Sequence, residues 1–458
     1  MKVQTIESLL REGRYYVTDT PAYGVGDPTT EGGVINLFDD VQYQEILGFG
    51  GALTESAAYN YSLLTAEQKR EFLERCYGKE QGLGYRIGRT HINSCDFSLD
   101  IYDYVQAGDM TLDTFDISRE RKYVIPFLQD IQAYCGEPLT LMAAPWSPPA
   151  YMKNNASAIG GGSLREDCRR LWALYYAKYI EAFRAEGIVI SAISVQNEPN
   201  AVQTWESCFY SAEEERDFLE QHLIPVLDER GLSDIRIIVW DHNKERVYDR
   251  AKTILYSPEM RERVWAVGHH WYSGDHFDGL SLVQEQLGKP NICTEFCGGI
   301  EEDAAALAER YAREMCENLN HYMIASCDWN ILLDDEGGPF HNRTAQMVTH
   351  DGKVLEYKCN GCYAPILYDR EKKELVYTPI YYAIGHFARF IQAGARRVAV
   401  TKFSDDLHVC AFRNPDDSLV VVVLNATDVN SNFHLRYQGE CTPMTVQPHA
   451  VITILLSE

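Results

Sequence analysis

Eight short and nearly unbroken apolar runs recur along the chain, at residues 46–54, 85–92, 139–147, 190–198, 235–242, 264–272, 291–296 and 326–334. Each has strand length, and the segments between them carry helical periodicity. The clearest such segment is 212–230, where Ser211 and Glu214 make a capping box, Leu219, Leu223, Val226 and Leu227 form an apolar stripe, and Gly231 supplies the stop. Segments 123–134, 171–184 and 304–319 repeat the theme. Continuous apolar runs suit parallel strands covered on both faces, whereas half-exposed strands alternate. Eight of them alternating with helices predict an α/β chain folded as a (β/α)8 TIM barrel.

Past residue 394 the pattern changes to β-branched or alternating runs at 397–402, 407–412, 419–425, 433–437 and 451–456, with turn residues Asn414, Pro415, Asp416 and Asp417 between two of them. These predict an antiparallel sandwich. Five strands make a thin one, and the strand-like stretches VQTIES, RYYVTDT and GVINLF in the first 40 residues have no place in the barrel. The expectation is therefore a catalytic barrel over 41–390 and a small β-sandwich side domain built from both chain ends, 1–40 plus 391–458.

Of the 458 residues, 42 are Lys or Arg and 67 are Asp or Glu, a formal net charge of −25. Such a field repels a phosphate backbone and an anionic membrane surface, which argues against both as partners. No apolar run approaches the ~20 residues of a membrane span. The first residues, MKVQTIESLLREGRYYV, lack an apolar stretch ending in a small-residue cleavage site, and the 13 cysteines form no regular framework. The expectation from these is free thiols in a cytoplasmic protein. Cys359 and Cys362 make one isolated C-x-x-C, without the second soft pair a structural zinc needs.

In barrels the reactive groups stand at the C-terminal ends of the strands. Here the fourth run ends Gln196-Asn197-Glu198-Pro199 and the seventh ends Thr294-Glu295-Phe296-Cys297. A single strand-end carboxylate is more often a helix cap or a loop ion pair. Two of them on strands facing across one mouth suit glycoside hydrolysis, in which one carboxyl protonates the leaving oxygen and the other attacks the anomeric carbon or activates water. Proximity and burial are expected to keep one of the two protonated. Asn197 is placed to donate to a sugar 2-hydroxyl.

These residues belong to a longer series: Gly48-Phe49-Gly50-Gly51-Ala52-Leu53-Thr54, Ser94-Cys95-Asp96-Phe97-Ser98, Ala144 to Pro149, Asn197-Glu198-Pro199, His270-Trp271-Tyr272, Thr294-Glu295, Asp328-Trp329-Asn330 and Glu336-Gly337-Gly338-Pro339. In this order and on these strand ends the chain resembles glycoside hydrolase family 30, almost end to end. The resemblance implies a retaining β-glycosidase without metal or cofactor, with Glu198 as acid/base and Glu295 as nucleophile. It implies a sugar pocket of Asp96, Trp146, Asn197 and Trp329, in which Asp96 accepts from two hydroxyls, the Trp146 indole donates, and Trp329 forms an apolar floor. Arg89 matches an arginine that holds the nucleophile ionised; Tyr272 and His270 are expected to support the same corner. The substrate is expected to be a neutral β-glucoside or short β-glucan.

The segment 200–208 looks shorter than the corresponding loop of the family's glucosylceramidases, and no apolar surface helix is evident to meet a lipid surface. β-Xylosidase and β-1,6-glucanase activities lie within the same family. Outside it, the rivals are a metal-dependent barrel hydrolase using His91, His242, His269, His270 or His276, which lacks the His-x-His pair such sites take from strand one, and a non-catalytic glycan-binding barrel, which would normally have lost one carboxylate.

Overall fold

The structure is a computed structural model that describes residues 1–341 and 361–458 together with the strands Thr344–Val348 and Val354–Lys358, which pair antiparallel. Cys359 of the C-x-x-C lies outside the described residues. Eight parallel strands close into a barrel: Gly48–Ala52, Ile87–Ile92, Thr140–Pro145, Ala192–Ser194, Arg236–Asn243, Ala266–His270, Asn291–Glu295 and Met323–Asp328. Closure is completed where the eighth strand pairs with the first, Ala325 opposite Gly48 and Asp328 opposite Gly51. Ile87, Met142, Ala192, Ile238, Ala266, Ile292, Ala325 and Cys327 fill the interior as one apolar cluster. The glycines of strand one are dictated by that closeness: a Cβ on Gly50 would overlap the carbonyl oxygen of Ile87.

The helices fall where the periodicity puts them, at Val124–Cys135, Arg169–Ala185 and Ala304–Asn320. The capping box is present, with Ser211 Oγ accepting from Glu214 N at 3.1 Å and Ser211 N donating to Glu214 Oε2 at 2.8 Å. The expected single helix over 212–230 is interrupted, however. Ala212–Phe218 and Ile224–Glu229 are joined by a wider π turn, Leu219–Leu223, ahead of Pro225. Proline has no N–H for the regular ladder, and a local bulge is the usual accommodation. The eighth run also needs correction. Its strand begins at Met323 and ends at Asp328; Asn330 turns at φ 64°, and Leu332–Asp334 joins a separate small sheet with Ile366–Asp369 and Glu374–Tyr377.

Nine strands form the second unit in the order Arg14–Asp19, Lys2–Leu9, Ala450–Ser457, Leu419–Asn425, Leu407–Arg413, Arg396–Val400, Val34–Glu45, Ser431–Tyr437 and Glu440–Val446. Both chain ends thus contribute, and Lys2–Leu9 pairs along its whole length with Ala450–Ser457. Val34–Glu45 is the corner, pairing antiparallel with Arg396–Val400 and parallel with Ser431–Tyr437. Val421, Val423, Phe433, Leu435, Ile452 and Ile454 lie in the shared core. The sequence pattern did not show Glu440–Val446, because Pro443 and exposed polar positions break its apolar character. It is an edge strand, where proline is tolerated. Among the described residues, no helix is long and apolar enough to cross a membrane.

The helix Pro379–Ala388 seams barrel to sandwich. Its His386 is fully buried, with Nε2 2.7 Å from Ser8 Oγ and Nδ1 2.9 Å from Thr453 Oγ1. Burial, aided by the charge of Arg389, pushes the imidazole down to about 3. The folded state therefore takes His386 neutral, whereas the unfolded chain protonates it near 6.5. Its contribution is intact above about pH 6.5 and is lost progressively as pH falls toward 3, at about 1.4 kcal/mol per pH unit for one group. His386→Gln is expected to lower stability by about 1–2 kcal/mol at pH 7 through imperfect hydrogen bonds. It should also flatten the fall in melting temperature between pH 6.5 and 4. Melting curves across that range check both signs, and a variant that loses stability as steeply as the parent would contradict the assignment.

Candidate active site

The mouth of the barrel is built from departures from regular strand geometry. Strand four is regular only over Ala192–Ser194, so the run 190–198 extends beyond it at both ends. Its continuation is held bond by bond, Asn197 N donating to Pro145 O at 2.9 Å and Glu198 N to Asp241 O at 3.0 Å. Glu198 adopts φ 47°. A left-handed conformation costs a non-glycine residue ~1–3 kcal/mol and persists only where the surroundings enforce it. In strand five, Trp240 pairs with Gly268 and His242 with His269, leaving Asp241 as the extra residue of a bulge with φ 52°. Bulges re-aim side chains, and this one turns Asp241 toward the barrel axis.

Asp241 was not among the residues singled out from sequence, yet it organises the floor of the site. Its Oδ2 lies 3.1 Å from Arg89 Nη2, and its Oδ1 lies 3.1 Å from His270 Nε2 and accepts from Thr294 Oγ1 at 2.5 Å. Arg89 in turn donates to Glu295 Oε2 at 2.7 Å and to Asn197 Oδ1 at 2.7 Å. Burial opposes the charges of both Arg89 and Asp241, but Asp241 and Glu295 together outweigh it for the arginine, and Arg89, His270 and Ser194 together outweigh it for the aspartate: the one is held well above its usual range and the other well below. The signal available in sequence was the ending of the fifth run, Trp240-Asp241-His242-Asn243, as polar as those of runs four and seven.

Both glutamates meet His270. Its Nδ1 lies 3.1 Å from Glu198 Oε1 and 4.0 Å from Glu295 Oε1. Tyr272 donates its hydroxyl to Glu295 Oε1 at 3.0 Å. His242 Nδ1 stands 3.4 Å from Glu198 Oε1, and Gln203 donates to the other oxygen, Oε2. Burial alone would raise the Glu198 pKa, but His242 and His270 outweigh it and hold the carboxyl below its usual range. His270 is pushed up to about 9, against its own burial, by Glu295, Asp241 and Glu198. The expectation that one carboxyl raises the other is thus overturned. The proton of the free site rests on the imidazole, because three carboxylates surround it.

Glu198, His242 and His270 are also the one grouping of three among the described residues whose ligand atoms could surround a metal ion. A cation there would have to displace the proton that His270 carries near neutrality.

Above this corner is a cavity of about 420 Å³, lined by Asp96, Trp146, Asn197, Glu198, Glu295 and Trp329 among others. A roomier cleft of about 760 Å³ between the N-terminal strand Lys2–Leu9 and Arg389–Gln392 contains none of these residues. The Trp146 and Trp329 rings stack with centroids 5.2 Å apart, and the Arg89 guanidinium lies 4.9 Å from the Trp146 ring. Asp96 Oδ1 is buried without a protein hydrogen-bond partner. Burial, then the charges of Glu295, Glu206 and Glu198, push this carboxyl well up. A carboxyl that lines a cavity and keeps an oxygen unsatisfied by the protein is a place for a ligand hydroxyl. All nine residues expected from sequence, including Arg89, His270 and Tyr272, are therefore gathered at this mouth.

Two glutamates at facing strand ends above paired tryptophans are the equipment of a barrel glycosidase. Residues 46–391 match the glycosyl hydrolase family 30 TIM-barrel domain, and 394–454 match the family's beta sandwich domain. The chain is 30% identical over 423 residues to the lysosomal acid glucosylceramidase of Mus musculus, covering 87% of this chain and 78% of that protein. It is 26% identical over 441 residues to an endo-1,6-beta-D-glucanase of Neurospora crassa, covering 90% and 86%. The crystal structure of SrfJ from Salmonella typhimurium superposes with a TM-score of 0.92 at 32% identity, covering both chains fully. This chain belongs to glycoside hydrolase family 30 and is a glycosidase.

Asp241→Asn is expected to reduce kcat/KM by roughly 10²-fold, the scale of one acid–base contribution. It should also destabilise the fold by about 3 kcal/mol, since Arg89 loses a buried counter-charge. Removing that negative charge also loosens the proton on His270, so the basic limb of the pH profile should move to lower pH. Kinetics across pH 5–10 check this; an unchanged basic limb would reduce Asp241 to a structural ion pair.

Proposed function

We propose that the protein hydrolyses β-glucosidic bonds in small glucosides or short β-glucans with retention, through a covalent glycosyl-enzyme. The observation that carries the reading is the shared nitrogen. With His270 Nδ1 3.1 Å from one glutamate oxygen and 4.0 Å from the other, these two oxygens are at most about 7.1 Å apart. That cap accommodates the ~5–5.5 Å of retaining enzymes and lies toward the lower end of the ~6.5–9.5 Å that leaves room for an inverting water, which favours retention.

The surroundings favour distinct roles. Each Glu295 oxygen accepts a hydrogen bond, from Arg89 and from Tyr272, which suits a nucleophile that must be ionised and aimed. Glu198 faces an imidazolium, which suits a group that must gain and give a proton. In this reading Glu198 receives the His270 proton and passes it to the leaving oxygen as Glu295 attacks the anomeric carbon. Glu198 then deprotonates the water that releases the sugar. Asn197, whose carbonyl is taken by Arg89, turns its NH2 end to the 2-hydroxyl, and Asp96 binds hydroxyls above the Trp146–Trp329 floor.

A neutral glycone suits a pocket already holding three carboxyl groups. The likeness to the Neurospora crassa endo-1,6-beta-D-glucanase favours one second reading, hydrolysis within β-1,6-glucan.

Glu295→Ala should abolish turnover of every substrate. Glu198→Ala should keep the first step on aryl glucosides with good leaving groups and yield a β-glucosyl azide when azide is added. A retained β-glucosyl azide formed by the Glu295 variant and not by the Glu198 variant would exchange the two roles, and release of the inverted anomer by NMR would defeat the mechanism. A panel of aryl β-glucoside, aryl β-xyloside, gentiobiose and a lipid glucoside decides among substrates.

A further inference from the structure

The sugar-pocket wall carries a pair of thiols. Cys297, two residues beyond Glu295, and Cys362, shortly after the strand Val354–Lys358, both line the cavity and are both half-buried. Their sulfurs stand 3.5 Å apart. Among the other described cysteines, Cys316 and Cys410 also face each other but are both buried, and the remaining half-buried one, Cys135, sits at the end of a helix away from the cavity.

Backbone bonds clamp the two strands of chain that bear this pair. Tyr363 N donates to Gly298 O at 2.9 Å, Ile300 N donates to Gly361 O at 2.8 Å, and Gly299 bridges antiparallel to Cys362. Trp271 Nε1 donates to Cys297 O at 3.0 Å, fixing that side from a third direction. The thiols are therefore held opposite each other by bonds that do not involve them. Closing the gap to a bonded ~2.05 Å needs a sulfur displacement of about 1.5 Å, within reach of side-chain rotation.

We propose that Cys297 and Cys362 form a reversible redox modification site that takes a small-molecule disulfide as oxidant. One thiol, as thiolate, attacks a sulfur of the oxidant and releases one reduced thiol. The second protein thiol then attacks the mixed disulfide and releases the other. One S–S bond of the oxidant breaks and one forms in the protein; the protein loses two electrons and two protons, and the oxidant gains them.

The site is coupled to Glu295 through one residue. The Tyr272 hydroxyl lies 3.3 Å from Cys297 Sγ while donating to Glu295 Oε1 at 3.0 Å. Drawing Cys297 toward Cys362 removes one contact of that hydroxyl and disturbs the other. Oxidation is expected to lower kcat/KM by about ten-fold, the rate equivalent of one weakened hydrogen bond to a charged group.

The test uses the full chain, reduced, freed of reductant without air, and treated with oxidised glutathione. Non-reducing peptide mapping should show a Cys297–Cys362 cross-link, a mass loss of two hydrogens, and release of two reduced glutathione molecules per chain. Hydrolysis of an aryl β-glucoside should fall in step with the cross-link and recover with dithiothreitol. Cys362→Ser, compared with its own reduced form, should accumulate a glutathionyl adduct on Cys297 because the thiol that resolves it in the parent is gone. A stable adduct on Cys297 in the parent protein, a cross-link to Cys359, or no reaction overturns the site. A complete cross-link that leaves the rate unchanged overturns its coupling to catalysis. The mapping is independent of the substrate assigned above.

Discussion

A guanidinium with almost no exposure sits at the centre of this barrel, and its charge sets the arrangement of everything around it. Arg89 is 1% exposed and must be matched by nearby anions, because an unpaired charge at that depth is prohibitively costly. Asp241 and Glu295 supply the match from strands five and seven, and Asn197 adds a neutral acceptor from the end of strand four. One side chain from strand two thereby fixes groups on three other strands. The stacked tryptophans complete the enclosure, and keeping water away strengthens each of these interactions.

The same constraint explains where the mobile proton rests. Two glutamates and an aspartate converge on His270, so the imidazole holds its proton to about 9 while Glu198 stays ionised. A pair sharing one proton over 3.1 Å titrates as a unit, and the pH profile belongs to the pair rather than to either member. The backbone bears the cost of this geometry in the left-handed conformations of Glu198 and Asp241, the one at a strand end and the other in a bulge. These two strained residues stand at the mouth that the enzyme uses, while the buried seam at His386 joins the barrel to a sandwich that contributes no residue to the sugar cavity.

Much of this was legible without coordinates. The eight strand-length runs, the switch to alternating patterns past residue 394 and the spare strands at the N-terminus determined the barrel and the sandwich, because burial on two faces or one leaves a direct mark on residue order. Glu198 and Glu295 were legible as a pair: one strand-end carboxylate is ordinarily a cap or an ion pair, but two on strands facing across one mouth suit glycoside hydrolysis, and the motifs around them resemble one family. Helix boundaries were legible wherever Ser211 or Gly231 gave a cap or a stop.

Three kinds of feature were not legible, and each depends on contacts between segments distant in sequence. Asp241 faces the axis only because a bulge shifts the register of strand five against strand six, and a bulge does not alter the apolar count of a run. The Cys297–Cys362 pair exists because backbone bonds bring segments 297–300 and 361–363 together, which no spacing announces. The charge of Glu198 was misjudged because it is set by His242 and His270 from strands five and six, and electrostatic energies follow distance in space rather than along the chain. Sequence by itself determined the barrel, most strands of the sandwich and which strand ends carry carboxylates; tertiary structure decided which groups share a proton, since that requires several strands to converge within about 4 Å.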